Sequence, residues 1–147
     1  MTIRALGVIG LVALAACSGG PAPGQRAEVE VARQRWEARS FQDYAFETST
    51  SCFCPPEINR RVRVEVRNDQ VVAVTLVETG NPVQSPLSYW FTIDELFDRI
   101  LQMVDGEGEF ELEFDPELGY PSLVNSIAPP GVADGGSLTR VFTMAEL

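Results

Sequence analysis

The sequence predicts an α+β domain, an antiparallel sheet of about five to six strands with two helices packed on one face, in the order α-β-β-β-α-β-β-β. Three observations carry that expectation. Two stretches, residues 27–39 and 92–106, repeat their apolar side chains at helical spacing. After each of them, apolar residues recur at every second position, the period of a strand with one buried face. Turn chemistry separates neighbouring alternating runs, at Asn68-Asp69 and at Pro116-Glu117-Leu118-Gly119, so those strands return as antiparallel neighbours.

The chain begins outside that domain. One basic residue, Arg4, precedes an apolar run from Ala5 to Ala16. The run is shorter than the ~20 apolar residues that span a bilayer and matches the apolar core of a secretory signal. Its end, Leu14-Ala15-Ala16-Cys17, resembles the bacterial lipobox. That resemblance implies that residues 1–16 are a lipoprotein signal peptide, and that Cys17 is lipidated on sulfur and becomes the first mature residue. An ordinary signal peptide cleaved nearby would leave Cys17 a plain thiol. Residues 17–26 supply Ser, Gly, Pro and polar side chains with nothing to pack, the composition of a flexible tether. No acid follows Cys17, which in a Gram-negative host favours the outer membrane, here its periplasmic face. Residues 27–147 then form a single domain whose membrane contact is the lipid anchor alone.

In Ala27–Arg39, Val29, Ala32 and Trp36 share one helical face. From Tyr44 the period changes to two. Tyr44, Phe46, Thr48, Thr50, Cys52 and Cys54 share one strand face, the more buried one by its aromatics, until Pro55-Pro56 ends the ladder. Val62, Val64 and Val66 alternate with Arg61, Arg63, Glu65 and Arg67, and Asn68-Asp69, which tolerate positive φ, return the chain into a strand from about Val71 to Val77. A loop, "GNPVQSP", leads to the second helix. There Thr92 and Glu95 form a capping box, with Phe91 and Leu96 placed as a hydrophobic staple. Leu96, Phe97, Ile100, Leu101 and Val104 form the core stripe, Glu95 and Arg99 stand at i,i+4 outside it, and Gly106 is a C-terminal stop. "EFELEFD" alternates again, with Phe110, Leu112 and Phe114 pointing inward. "SLVNSI" and "SLTRVFTM" supply the last two strands. Two halves of identical element order suggest an internal duplication.

Composition excludes several functions. The net charge of −10 argues against nucleic acid, which needs a basic surface. The chain has no histidine, so the commonest general base, Ser-His and Cys-His nucleophile pairs and most zinc sites are absent. No catalytic residue and no cofactor is assigned. Charge is uneven: from Asn68 onward there are fourteen acids against only Arg99 and Arg140. That half is either a solvated acidic surface or a docking surface for a partner with basic groups.

The sharpest candidate site is "SCFCPPE". With Cys17 acylated in an oxidising compartment, Cys52 and Cys54 have only each other. On a flat strand their Cα atoms would stand about 6.6 Å apart, near the upper limit for a disulfide, so closure needs a bend at Phe53. The pair reads as a structural staple, as a redox or regulatory bridge, or as a Cu(I) site. The redox reading lacks a helix N-terminus to lower a thiolate pKa, and the copper reading lacks accompanying Met or His. No metal is assigned. Asp105 to Glu117 lacks the ligand spacing of a calcium loop and reads as a solvated strand face. Tyr89, Trp90 and Tyr120 are candidates for an aromatic binding patch, or for closing the end of the core.

Taken together, Trp36, Tyr44-x-Phe46, Cys52-Phe53-Cys54-Pro55, the Val62-x-Val64-x-Val66 hairpin, "FTIDELFDRI" and the run from Phe114 to Pro121 resemble a family of bacterial secreted and lipid-anchored proteins known only as a domain of unknown function. The likeness spans nearly the whole mature domain. The family pattern has one acid after the Gly-Tyr-Pro strand and another before the last strand. Here Asn125 to Ala128 supplies none, and Asp134 stands at the second place. The resemblance implies the fold and the address, with no activity to transfer. The expected function is a non-catalytic binding or scaffolding domain of the envelope, engaging another envelope protein. An envelope thiol-redox protein is the alternative.

Overall fold

A computed structural model describes residues 23–106, 108–132 and 135–147. Cys17 and Asp134, both singled out above, lie outside the described residues. Helix α1 (Pro23–Glu37) precedes strands β1 (Tyr44–Ser51), β2 (Val62–Arg67) and β3 (Gln70–Leu76). Helix α2 (Ile93–Val104) precedes β4 (Glu109–Phe114), β5 (Pro121–Ile127) and β6 (Ser137–Glu146). The fold is α+β, in the predicted order. The six strands form one antiparallel sheet in the order β3-β2-β1-β6-β5-β4.

In that order each half is a meander that steps the same way across the sheet, β1 to β3 and β4 to β6. The first three strands run from the centre of the sheet to one edge. The last three run from the other edge back to the centre, where β1 and β6 pair from Tyr44–Glu146 to Ser51–Leu138. Corresponding strands of the two halves nevertheless point in opposite directions, because every neighbouring pair is antiparallel.

The core lies between the sheet and the two helices. Val29, Ala32 and Trp36 of α1 and Ile93, Leu96, Phe97, Ile100 and Val104 of α2 are buried against Tyr44, Phe46, Val62, Val64, Val66, Val74 and Val141. Trp36 is the hub, meeting Tyr44, Phe41 and Tyr120 edge-on at 5.0, 6.1 and 6.4 Å. Exposed ion pairs link the helices, Arg26 with Asp105 and Arg33 with Asp98.

Several boundaries differ from the sequence reading. α1 starts at Pro23, inside the predicted tether, because proline is tolerated in a first turn and Arg26 finds Glu30 one turn on. β1 stops at Ser51 rather than Cys54, so the cysteines do not share the face of Tyr44 and Phe46. The Cys52 amide leaves the ladder to donate to Asn59 Oδ1 at 3.0 Å. The capping box is present, with the Glu95 amide donating to Thr92 Oγ1 and the Thr92 amide donating to the Glu95 carboxylate. That use of Glu95 takes it from Arg99, which instead lies over the Phe91 ring at 5.0 Å. Leu101, at the margin of the predicted stripe, is only half-buried, and Ile93 takes a place inside it. α2 ends on Asp105 in ordinary helical geometry, and Gly106 adopts no positive φ. Asn68 and Asp69 do turn left-handed, at φ 49° and 59°, as the hairpin requires.

Candidate functional site

Three regions carry chemistry beyond the core, and the first is the tip after β1. Cys52 and Cys54 sit at disulfide-bonding distance with Cα atoms 5.3 Å apart, so a bend supplies the approach that a flat strand denies. Asn59 brackets the bend, accepting from the Cys52 amide at 3.0 Å and donating to the Cys54 carbonyl at 3.4 Å. The Glu57 carboxylate latches the loop to the β3–α2 connection, accepting from the Gln84 and Ser85 amides and from Ser85 Oγ. The Ser85 hydroxyl first, and those amides next, hold the Glu57 carboxyl below its ordinary pKa. Both cysteines are half-exposed in a surface hollow of about 420 Å³ that Phe53, Pro55 and Asn59 complete. Phe53, between the two cysteines, is 86% exposed.

Sequence reasoning uses Phe53 only as the site of the bend. Its exposure has one legible signal: a residue between two bridged cysteines points away from them, and Pro55 allows no further strand to cover it. The Asn59 and Glu57 latches are not legible, because their partners depend on how a loop folds back in space.

The second region is buried. Trp36 Nε1 donates to Asp94 Oδ2 at 3.2 Å, and the Ile93 amide donates to Tyr44 Oη at 3.0 Å. Burial pushes the Tyr44 phenol far above its ordinary range. The Arg39 guanidinium lies 4.0 Å above the Trp36 ring, donates to the Trp36 carbonyl and stands 3.8 Å from Asp94. These groups serve one another across α1, α2 and β1, but among the described residues Arg39 Nε is buried without a hydrogen-bond partner. Of the predicted aromatic patch, Trp90 and Tyr120 are buried and only Tyr89 presents an exposed ring. Burial, and then the Asp115 charge, raise the Tyr120 phenol as well.

The third region is the sheet face opposite the helices. Arg61 pairs with Glu47 and Arg67 with Asp43 across to the β1 side, and Arg63 with Glu65 along β2, so these arginines are neutralised locally. A bulge in β6 leaves Phe142 without a partner on β1 and turns it outward, where Arg61 stacks on it at 4.1 Å. At the β4 edge the balance is different. Glu109, Glu111 and Glu113 are exposed in a row, and among the described residues none pairs with an arginine, although Glu111 accepts from Asn125 Nδ2. Among the described residues no group of three His, Cys, Asp or Glu side chains converges on a metal position.

No curated protein and no solved structure matches the chain. Residues 28–141, from the first turns of α1 to the middle of β6 and including the disulfide tip, the capping box and the Gly119 turn, match a family model. The chain belongs to the family of unknown function DUF6174.

Proposed function

We propose that the protein is a non-catalytic binding or scaffolding domain, held at the bacterial envelope by a lipid on Cys17, that engages a partner carrying basic groups. The observation that carries this reading is the distribution of charge on the open sheet face. The arginines of β2 and its approach are paired with Glu47, Glu65 and Asp43, whereas among the described residues the glutamates of β4 pair with no arginine and form an acidic row at an edge strand. A surface of that kind steers and orients a partner of opposite sign. Phe142 beside Arg61 offers an apolar and aromatic contact on the same face. A photo-crosslinking residue at position 142 in the envelope-located protein tests this. One discrete basic protein should be captured, and Glu109→Lys/Glu111→Lys/Glu113→Lys should lose it. Capture unchanged by that triple reversal rules out the charge-directed reading.

An envelope thiol-redox protein is the second reading, favoured by the accessibility of Cys52 and Cys54. Mass spectrometry of the mature protein after alkylation, with and without mild reductant, separates the two. A staple resists mild reductant, and Cys52→Ser/Cys54→Ser lowers stability by only about 1–2 kcal/mol for so short a loop. A pair found partly reduced in the envelope, and exchanging with a dithiol substrate, would favour redox work instead.

A further inference from the structure

The end of the domain where α1 begins carries a cluster of exposed apolar side chains. α1 and α2 lie antiparallel, with Arg26 at Asp105, Arg33 at Asp98 and Trp36 at Asp94. β1 starts against Trp36 and runs back to Ser51, so the disulfide tip emerges at the end where Pro23 opens α1. Sheet register brings the loop after β5 to the same end, through Ser51–Leu138, Ser137–Ser126 and Ile127–Glu109. Gathered there are Phe53, 86% exposed, Val132 at 50% and Ile127 at 42%, and both loops carry exposed prolines, Pro55 and Pro56 in one and Pro129 and Pro130 in the other.

Phe53 has no route back to the core. Its neighbours on both sides are bridged, Asn59 holds the bend, and Glu57 ties the loop to residues 84–85. An apolar ring fixed in water in this way is prepared for a contact, since little conformational freedom remains to be lost when it is made.

The sequence says what covers it. Six residue steps separate Cys17 from Pro23, a reach of about 20 Å when fully extended. That is no more than the length of α1 itself, about 22 Å for its 15 residues. A lipid on Cys17 therefore holds this end of the domain close to the bilayer and leaves the opposite end beyond it. We propose that the end bearing Phe53, Ile127 and Val132 is the face on which the tethered domain rests on its membrane, with the Phe53 ring entering the headgroup region. The contact adds orientation to the anchor: the sheet edge with Glu109, Glu111 and Glu113 then faces along the membrane toward a partner. It rests on acylation of Cys17 as proposed above. Asp105 and Glu109 also lie at this end, so the contact favours zwitterionic over anionic lipid at low salt.

Phe53→Trp in the full mature chain, reconstituted through its own lipid into phosphatidylethanolamine vesicles containing brominated phosphatidylcholine, tests the proposal. The native indoles, Trp36 and Trp90, are buried away from the bromines, and their emission, read from the unsubstituted chain, is subtracted. Emission from the indole introduced at position 53 should shift to the blue and be quenched, most by bromines near the top of the acyl chain. Gln70→Trp, at an exposed position on the β2–β3 hairpin at the other end, should give emission neither shifted nor quenched. The mass of the N-terminal peptide is read on the same preparation. An unmodified Cys17 overturns the anchor reading and this inference with it. An acylated Cys17 with the position-53 indole quenched no more than the position-70 indole overturns the membrane contact alone. Emission that shifts only when envelope proteins are added assigns the tip to a protein partner and overturns it equally.

Discussion

At Gly119 two constraints fall on one residue. Its φ is +80°, and a Cβ there would stand 2.3 Å from the Ala32 carbonyl oxygen of α1. Glycine is needed both for the turn after β4 and for the close approach of that turn to the helix. Gly80 has a similar φ of +70° with nothing within 4 Å. Gly80→Ala should therefore cost only the left-handed strain, about 1–2 kcal/mol. Gly119→Ala adds overpacking against backbone and should cost about 2–5 kcal/mol. Urea midpoints of the two variants check this, and equal losses would show that the contact with α1 is slack. Glu57 gives a pH prediction. Its carboxyl titrates below the ordinary value because the ionised form accepts bonds from Ser85 and the Gln84 amide. The unfolded chain therefore takes up the proton first. The latch contributes fully above the ordinary Glu range, near pH ~4.3, and its contribution is lost as pH falls through the depressed folded value. Glu57→Gln should remove that part of the acid limb in urea midpoints measured against pH. An unchanged acid limb would mean that the latch does not stabilise the fold.

Among the elements, α2 is the most legible in the sequence, because its start is local chemistry: Thr92, Glu95 and the stripe behind them lie within a few turns of one another. Thr92 is buried and its hydroxyl serves the Glu95 amide. Thr92→Ala should cost about 1–2 kcal/mol in thermal or urea unfolding, with Thr92→Ser restoring most of it. A loss of the same size for both variants would assign the cost to packing of the methyl group instead. β1 is less legible. Its alternation continues smoothly into "SCFC", and the pattern gives no sign that Asn59, seven residues on from Cys52, captures the ladder amide. The Glu95–Arg99 pair fails for a related reason. Spacing allows it, but each partner finds a better one, the Thr92 amide for Glu95 and the Phe91 ring for Arg99.

For the whole molecule, the pairing of β1 with β6 at the centre of the sheet makes the two halves of the chain interdependent. Neither the α1-to-β3 half nor the α2-to-β6 half keeps its central strand covered on both sides. Residues 23–86 and 87–147 expressed separately should lack native near-ultraviolet circular dichroism and regain it on mixing. A half that folds alone would contradict a single cooperative unit.

By itself, the sequence determined the period of each element, the N-terminal cap of α2, the turns at Asn68-Asp69 and Gly119, the α+β class, and the resemblance that placed it in its family. All of these depend on residues close together along the chain, where spacing fixes geometry. Tertiary structure alone decided the strand order, the latches of Asn59 and Glu57, the outward turn of Phe142, and the end of the domain at which Phe53 emerges. Each depends on contacts between distant segments, where the partner is chosen by the packing of the whole chain and not by any local pattern.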